Sequence, residues 1–143
     1  MRRRIFFTGS SGFAGKLITK YLERKNLKIA KIVFKNPKHK KNIKIDLTKK
    51  IYLKKNFSWI IHAAAHHKIE DFKSKAKLKA KRNILMVKNL VDFAKNNKVR
   101  NFIFFSTIDL NYSSYPQKKT IYCKSKIFCE KILLNALRKK FLN

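Results

Sequence analysis

Tyr122 and Lys126 are two side chains whose types and spacing could move a proton. They lie four residues apart in a segment with helical periodicity, so a helix would place both on one face. A free tyrosine has a pKa of about 10 and is a poor base at neutral pH, but a nearby lysine ammonium favours the phenolate and lowers that pKa. The pair could therefore take a proton from a substrate hydroxyl and return it in the reverse reaction. Thr107, just after a predicted strand, could hydrogen-bond the same oxygen.

The same pair also has a purely structural interpretation. Tyr122 could be the aromatic residue at the start of a helix, and Lys126 could be one of many surface lysines. A tyrosine and a lysine at this spacing arise readily by chance in a lysine-rich chain, so a second motif is needed to decide.

The second motif is formed by the three glycines of the chain, Gly9, Gly12 and Gly15, which fall at intervals of three. They lie between an apolar segment, predicted as a buried strand, and a helical pattern that begins at Phe13. A strand, G-x-x-G-x-x-G and a helix in this order are typical of a site for the pyrophosphate of a dinucleotide. The first glycine permits a tight turn, the second lets phosphates approach the backbone, and the third lets the helix pack closely on the sheet. The alternative is a plain strand–helix turn.

The elements that must position these residues are five predicted strands and three predicted helices. The strands cover residues 4–9, 27–34, 42–47, 57–65 and 101–107. The helices begin near Phe13, run through residues 84–94, and begin again near Tyr122. Continuous apolar strands between helices are typical of a parallel sheet covered on both faces. We therefore predict an α/β fold, a Rossmann-type doubly wound parallel sheet of about five strands with helices on both faces. In the first helix, apolar residues are expected on one face: Phe13, Leu17, Ile18, Tyr21 and Leu22.

The order of the motifs resembles that of the extended short-chain dehydrogenase/reductase superfamily, in particular the NAD-dependent epimerase/dehydratase family. The glycine segment looks like the TGxxGxxG fingerprint of that superfamily. Five further segments match family motifs in the same order along nearly the whole chain: "IDL" with Asp46, "HAAA" with His62, Ala64 and Ala65, "RNILMVKNLV" with Asn83, "STIDLNY" with Ser106 and Thr107, and "YCKSKIFCE" with Tyr122, Ser125, Lys126 and Glu130. In "STIDLNY", Asn111 and Tyr112 replace the usual Tyr-Gly.

This resemblance implies an NAD or NADP cofactor and hydride transfer at a carbinol of a nucleotide-sugar. The cofactor loop would be formed by Gly9, Ser11, Gly12, Phe13 and Gly15, and the cofactor cleft would be lined by Asp46, Ala64 and Asn83. Thr107, Tyr122 and Lys126 would be the catalytic residues, and Lys126 would also hold the nicotinamide ribose. Epimerase, reductase and dehydratase activities are all found in the family. Dehydratases typically have an Asp-Glu pair after the threonine, which Ile108 and Asp109 do not reproduce, so dehydratase is the least favoured.

The segment after the second strand bears on the choice between the two cofactors. An acidic residue there favours a free 2′-hydroxyl on the adenine ribose. This chain has Lys35 and Lys38 instead, which favours a 2′-phosphate and so places Lys35 among the predicted cofactor-binding residues. Because lysine is abundant everywhere in the chain, NAD and NADP both stay open.

The composition adds two rival interpretations. The chain has 37 Lys and Arg against 7 Asp and Glu, a formal charge of +30, which attracts polyanions. A non-catalytic module that binds RNA or another polyanion, and an inactive fragment, are therefore the alternatives to an enzyme. The excess of lysine is also explained by a compositional bias with no functional meaning.

The length of the chain, its histidines and its cysteines predict the number of domains, the absence of a metal site and disulfide, and the location. At 143 residues the chain is expected to be one NAD(P)-binding domain, truncated at its C-terminus without the family's substrate domain. A homodimer is one candidate assembly. No metal site is predicted, because the spacing of the only candidates fits no standard geometry: His62, His66, His67 and Asp71. Cys123 and Cys129 would not share a helix face, so no disulfide is predicted and a cytoplasmic location is expected. No segment is long and apolar enough to predict a membrane span.

Overall fold

The computed structural model describes residues 4–34, 42–54, 56–67, 73–107 and 120–142. Within them the chain forms five strands and three helices, in the order β1 (Arg4–Thr8), α1 (Phe13–Arg24), β2 (Lys28–Val33), β3 (Ile43–Lys44), β4 (Trp59–His62), α2 (Ala76–Asn96), β5 (Asn101–Phe104) and α3 (Ile121–Arg138). This is the predicted order of elements, and the predicted fold class is confirmed.

The five strands form one parallel sheet in the order β3–β2–β1–β4–β5. The chain builds the sheet outward from β1 to β3, then crosses back over β1 and continues through β4 to β5. Because crossover connections between parallel strands are right-handed, the reversal puts α1 on one face of the sheet and α2 with α3 on the other. The strand order reverses between β1 and β4, and the crevice at the carboxyl ends of these strands is where doubly wound folds bind ligands.

The central strand β1 is buried on both faces. Phe6 points toward α2 and α3, where its ring packs on those of Phe57 and Phe93 with centroid distances of 5.3 and 5.1 Å. Ile5 and Phe7 point to the opposite face, which α1 covers. Each such buried apolar side chain contributes roughly 1.5–3 kcal/mol to folding. This alternation explains why the segment is apolar without interruption.

Helix α1 presents a different face to the sheet from the one predicted. Ile18 and Leu22 pack against the sheet as expected, whereas Phe13, Leu17 and Tyr21 are 88%, 60% and 60% exposed. The buried face of the helix also contains a glycine and a threonine. The predicted single apolar face was therefore wrong, because the apolar residues form two stripes and only one contacts the sheet.

All five strands are shorter than predicted, and β3, β4 and β5 are shorter by three residues or more. β3 stops at Lys44 because the carboxylate of Asp46 binds the backbone N–H of Thr48 at 3.0 Å, which turns the chain out of the strand direction. β4 and β5 stop at His62 and Phe104, where the partner strand ends as well. The predicted loop at residues 113–119 lies outside the described residues.

The bend between β1 and α1, residues 9–12, packs unusually closely against the segment after β4 and against α1. Gly9 has φ +79°, a conformation that other residues rarely adopt, and an added Cβ there would lie 2.5 Å from the carbonyl carbon of Ala63 and the nitrogen of Ala64. A Cβ added at Gly15 would overlap the carbonyl oxygen of Gly9. Helix α1 therefore sits directly against the backbone of the bend.

No helix within the described ranges has an apolar stretch long enough to cross a membrane.

We expect Gly15→Ala to destabilise the fold by about 3 kcal/mol or more, because the new methyl group must push α1 away from the bend. Gly12→Ala is the matched control, since its Cβ would meet only the Gly9 carbonyl oxygen at 3.4 Å. We expect the control to cost less than about 1 kcal/mol. Urea unfolding of both variants measures the difference, and equal losses of stability would contradict this description of the bend.

Candidate functional site

A cleft of about 700 Å³ lies at the carboxyl ends of β1 to β4. Its walls come from the bend after β1, the end of β2, the turn after β3, the segment after β4, and the start of α2. The lining residues are Gly9–Ser11, Lys16, Lys31–Phe34, Asn42, Ile45–Thr48, Ala64–His66, Arg82 and Met86. The cleft thus occupies the position that the reversal in strand order predicts.

The N-terminus of α1 opens on the bend without a side-chain cap. Gly12 is the N-cap residue, and no side chain accepts a hydrogen bond from the first turn. That turn contains no acidic residue. A helix start of this kind presents backbone N–H groups and a positive dipole end to an anion. A Cβ at Gly12 would meet only the Gly9 carbonyl oxygen, at an ordinary contact distance of 3.4 Å, so little of the protein covers the backbone there.

A buried hydrogen-bond pair fixes the two strand ends beside the bend. The hydroxyl of Thr8 lies 2.7 Å from Nδ1 of His62, and the backbone N–H of Ala64 donates to the same hydroxyl oxygen at 3.4 Å. Which of the two groups donates depends on the tautomer of the ring, because the hydroxyl can either donate to Nδ1 or accept a proton from it. Burial of His62, together with the charge of Lys126, lowers its pKa to about 3. The ring, only 2% exposed, also stacks on Phe104.

Asn83 holds the backbone of the segment after β4. Its side-chain oxygen accepts from the N–H of His66 at 2.8 Å, and its amide nitrogen donates to the carbonyl of His66 at 3.2 Å. The residue is buried on α2 and is not among the described residues that line the cleft. It therefore acts on the cleft by shaping the segment that contains Ala64 and Ala65.

Asp46 supplies the carboxylate of the cleft. Its Oδ1 accepts two hydrogen bonds from Thr48, one from the hydroxyl at 2.7 Å and one from the backbone N–H at 3.0 Å. The Thr48 hydroxyl, with the charges of Lys49 and Arg82, lowers the pKa of Asp46 against the opposing effect of burial. Asp46 is therefore ionised at neutral pH, and it lines the cleft as a hydrogen-bond acceptor.

A second group of polar residues lies at the carboxyl end of β5. The ammonium of Lys126 donates to the Phe105 carbonyl at 2.6 Å and lies 4.5 Å from the Phe104 ring centroid and 5.7 Å from that of Tyr122. Burial lowers the pKa of Lys126, which is 4% exposed. The hydroxyl of Thr120 caps α3 through the Cys123 N–H at 3.1 Å. This cap starts the helix at the point that brings Tyr122 to the cluster.

One further hydrogen bond and the strand order describe where this cluster lies in the fold. Ser106 donates a hydrogen bond to Glu130 on α3, one turn beyond Lys126. β5 is separated from β1 by one strand, so the cluster lies about 10 Å along the sheet from the bend.

The predicted site residues fall into four positions. Gly9, Ser11, Asp46 and Ala64 line the cleft. Gly12, Phe13 and Gly15 lie at the start of α1 that borders the cleft, although the Phe13 side chain points to solvent. Tyr122 and Lys126 lie together at the β5 end, with Thr107 just after the strand, and Asn83 lies behind the segment after β4. Lys35 lies outside the described residues.

The sequence interpretation missed several residues. Lys16 and Arg82 line the cleft, and Thr8 makes the buried pair with His62. Thr8 and His62 end two neighbouring parallel strands, so the strand prediction itself could have placed them together. Lys16 follows Gly15 directly, but Arg82 has no feature that distinguishes it from other cations of α2.

Fold and site together define a Rossmann-type domain with a dinucleotide-sized cleft at its topological switch point. The chain matches the model of the NAD dependent epimerase/dehydratase family over residues 5–141, and it belongs to that family. The resemblance seen in the sequence motifs is therefore confirmed.

Solved structures with the same fold include several nucleotide-sugar enzymes. A UDP-glucose 4-epimerase superposes with a TM-score of 0.84 at 20% identity, covering 99% of this chain and 49% of that one. UDP-N-acetylglucosamine 4-epimerase from Bacillus cereus gives 0.76 at 21% identity, covering 98% and 50%. MoeE5 in complex with UDP-glucose and NAD gives 0.80 at 19% identity, covering 98% and 52%. The chain therefore spans about half the length of these proteins. No curated protein sequence matches it.

The buried His62 predicts a specific dependence of stability on pH. The folded-state pKa of His62 is lowered to about 3 from about 6.5 in the unfolded chain, so the unfolded state binds the extra proton. The stabilisation is complete above about pH 6.5 and is lost as the pH falls toward about 3. Between about pH 7.5 and about pH 5, His62 alone should reduce the free energy of unfolding by about 2 kcal/mol.

Urea unfolding of the chain and of His62→Asn across this range measures the effect. Asparagine can still hydrogen-bond to the Thr8 hydroxyl as donor or acceptor but does not titrate, so the variant should show a weaker dependence on pH, whatever its absolute stability. His67→Asn, at an exposed position of the same segment, is the control and should leave the dependence unchanged. An unaltered slope in His62→Asn would disprove the neutral buried imidazole.

Proposed function

We propose that the chain binds NAD or NADP in the cleft, with the pyrophosphate on the N-terminus of α1. The observation that carries this proposal is the helix start at Gly12, which has no side-chain cap and where an added Cβ would meet only the Gly9 carbonyl oxygen at 3.4 Å. Bare N–H groups at this position suit the negative charge of the phosphates. The close packing of Gly15 on Gly9 supports the same function, because it holds the helix start at the mouth of the cleft.

The adenosine end of the cofactor would occupy the part of the cleft between β2 and β3. Asp46 is ionised there and offers an acceptor that suits the exocyclic amino group of adenine. Leu47 and Met86 line the same region and would pack on the ring. The cleft volume of about 700 Å³ falls in the range typical of small-molecule sites.

The nicotinamide end would extend toward the cluster at β5. When bound, NAD(P) supplies the hydride acceptor or donor, and the residues of the chain move the proton. Tyr122 would take the proton of a sugar hydroxyl as its carbon loses hydride, and would return the proton in the reverse direction. Lys126 would stabilise the phenolate through its charge and hold the nicotinamide ribose, while its bond to the Phe105 carbonyl fixes its position. Thr107 would bind the same hydroxyl oxygen.

The substrate class follows from the family. We propose that residues 1–143 form the NAD(P)-binding domain of a nucleotide-sugar epimerase or reductase. The similar structures include epimerases of UDP-sugars and a complex with UDP-glucose and NAD. A homodimer and a cytoplasmic location remain predictions from the sequence.

Gly12→Ser tests the pyrophosphate position without disturbing the fold. Serine is a favoured N-cap residue, so the variant should be at least as stable as the parent chain. Its hydroxyl would cap the first turn in place of the phosphates, and we expect NAD affinity to fall by about tenfold or more in isothermal titration calorimetry.

The same titration separates this proposal from non-specific binding of polyanions. The calorimetry is repeated at raised salt and with inorganic pyrophosphate, because binding that depends only on the surface charge weakens steeply with salt. Equal NAD affinity in Gly12→Ser and the parent chain, with strong salt dependence in both, would favour the polyanion-binding alternative.

Tyr122→Phe and Lys126→Met separate chemistry from cofactor binding. Tyr122→Phe should change NAD affinity by less than about twofold but reduce hydride transfer from a UDP-sugar by about 100-fold or more. Lys126→Met should weaken both NAD affinity and hydride transfer, because the ammonium would contact the cofactor ribose. The absorbance of reduced nicotinamide measures the transfer and calorimetry measures binding. Undiminished transfer in Tyr122→Phe would rule out its role as the base.

A further inference from the structure

The cleft contains more positive charge than a pyrophosphate on a helix N-terminus requires. Among the described residues that line it, Lys16, Lys31 and Arg82 are cationic and Asp46 is the one carboxylate. Arg82 comes from α2 and lies close enough to Asp46 for its charge to act on that carboxylate. This leaves two lysines whose position has to be explained.

Lys16 and Lys31 border the same side of the cleft. Lys16 is in the first turn of α1, and Lys31 lies on β2 with its ammonium 2.8 Å from the Glu23 carboxylate of α1. Both side chains therefore reach the cleft from the face of the sheet that α1 covers. The carboxyl end of β2 forms part of this side of the cleft. In Rossmann-type folds this is where the ribose of the adenosine moiety binds.

The residues that would bind an unmodified ribose are missing from this part of the sequence. A site for NAD places an Asp or Glu about 20 residues after the glycine motif, where it accepts a hydrogen bond from the 2′-hydroxyl. Between Gly15 and Asp46, the sequence contains a single carboxylate, Glu23. That carboxylate is paired with Lys31 and is not among the described residues that line the cleft.

We propose that the cleft prefers NADP to NAD and that Lys16 binds the 2′-phosphate. This inference rests on the proposed function, because it specifies which dinucleotide the same cleft takes. The Lys16 ammonium on this side of the cleft favours a phosphate, whereas the Lys31 ammonium is already paired with Glu23. The absence of an acidic acceptor in this segment removes the usual preference for a free hydroxyl. Lys35, which the sequence also assigns to this region, lies outside the described residues and is not needed for the inference.

The test compares NADP with NAD by calorimetry in the parent chain, Lys16→Gln and Lys20→Gln. Lys20 is the matched control because it lies one turn further along α1, is exposed, and does not line the cleft. We expect the parent chain to bind NADP about tenfold or more tightly than NAD. Lys16→Gln should weaken the binding of NADP much more than that of NAD and so remove most of this preference, and Lys20→Gln should retain it.

A second pair of probes separates recognition of the 2′-position from attraction to charge. Adenosine 2′,5′-bisphosphate and adenosine 3′,5′-bisphosphate have the same charge and differ only in where the second phosphate is attached. We expect the 2′,5′-isomer to bind more tightly to the parent chain, and we expect the two isomers to bind equally to Lys16→Gln.

The outcomes distinguish the two proposals. If NAD and NADP bind equally well, or if Lys16→Gln keeps the full preference, the 2′-phosphate site is wrong while cofactor binding stands. If the two bisphosphates bind equally to the parent chain, the preference reflects only its net charge and the site is again wrong. If neither dinucleotide binds, both the proposed function and this inference are overturned.

Discussion

The contact between the start of α1 and the bend after β1 is the constraint on which the rest of the site depends. Gly15 lies so close to the Gly9 carbonyl that no side chain fits between them, and Gly9 itself adopts a left-handed conformation against the segment after β4. The three segments are therefore pressed together at their backbones. This packing holds the start of α1 at the switch point of the sheet, where its backbone N–H groups would face a bound anion.

Polar residues that do not line the bend stabilise this arrangement through hydrogen bonds at the ends of β1 and β4. The Thr8–His62 pair joins the ends of β1 and β4, and Asn83 binds both backbone groups of His66. Thr8, His62 and Asn83 are buried, so the loss of one side chain would leave its partner without a hydrogen bond. Such residues touch no ligand, yet they set the shape of the wall that a ligand would meet.

Much of this was accessible from the sequence, because strong local signals agreed with one another. The apolar segments, the glycine spacing and the periodicity gave the order of elements, and the strand ends placed Asp46 and Ala64 at one edge. The face of α1 was not predictable in the same way. Phe13, Leu17 and Tyr21 are apolar but face solvent, and only packing against the sheet distinguishes them from Ile18 and Leu22. Arg82 was missed because nothing local separates it from its lysine neighbours.

The account depends on phosphates binding at the start of α1, and backbone amide NMR during an NAD titration at raised salt measures this most directly. We predict the largest chemical-shift changes at the amides of Phe13, Ala14 and Gly15, saturating together with those of Ala64 and Ala65. Changes confined to the lysine-rich outer surfaces of α2 and α3, with the α1 amides unmoved, would contradict the account.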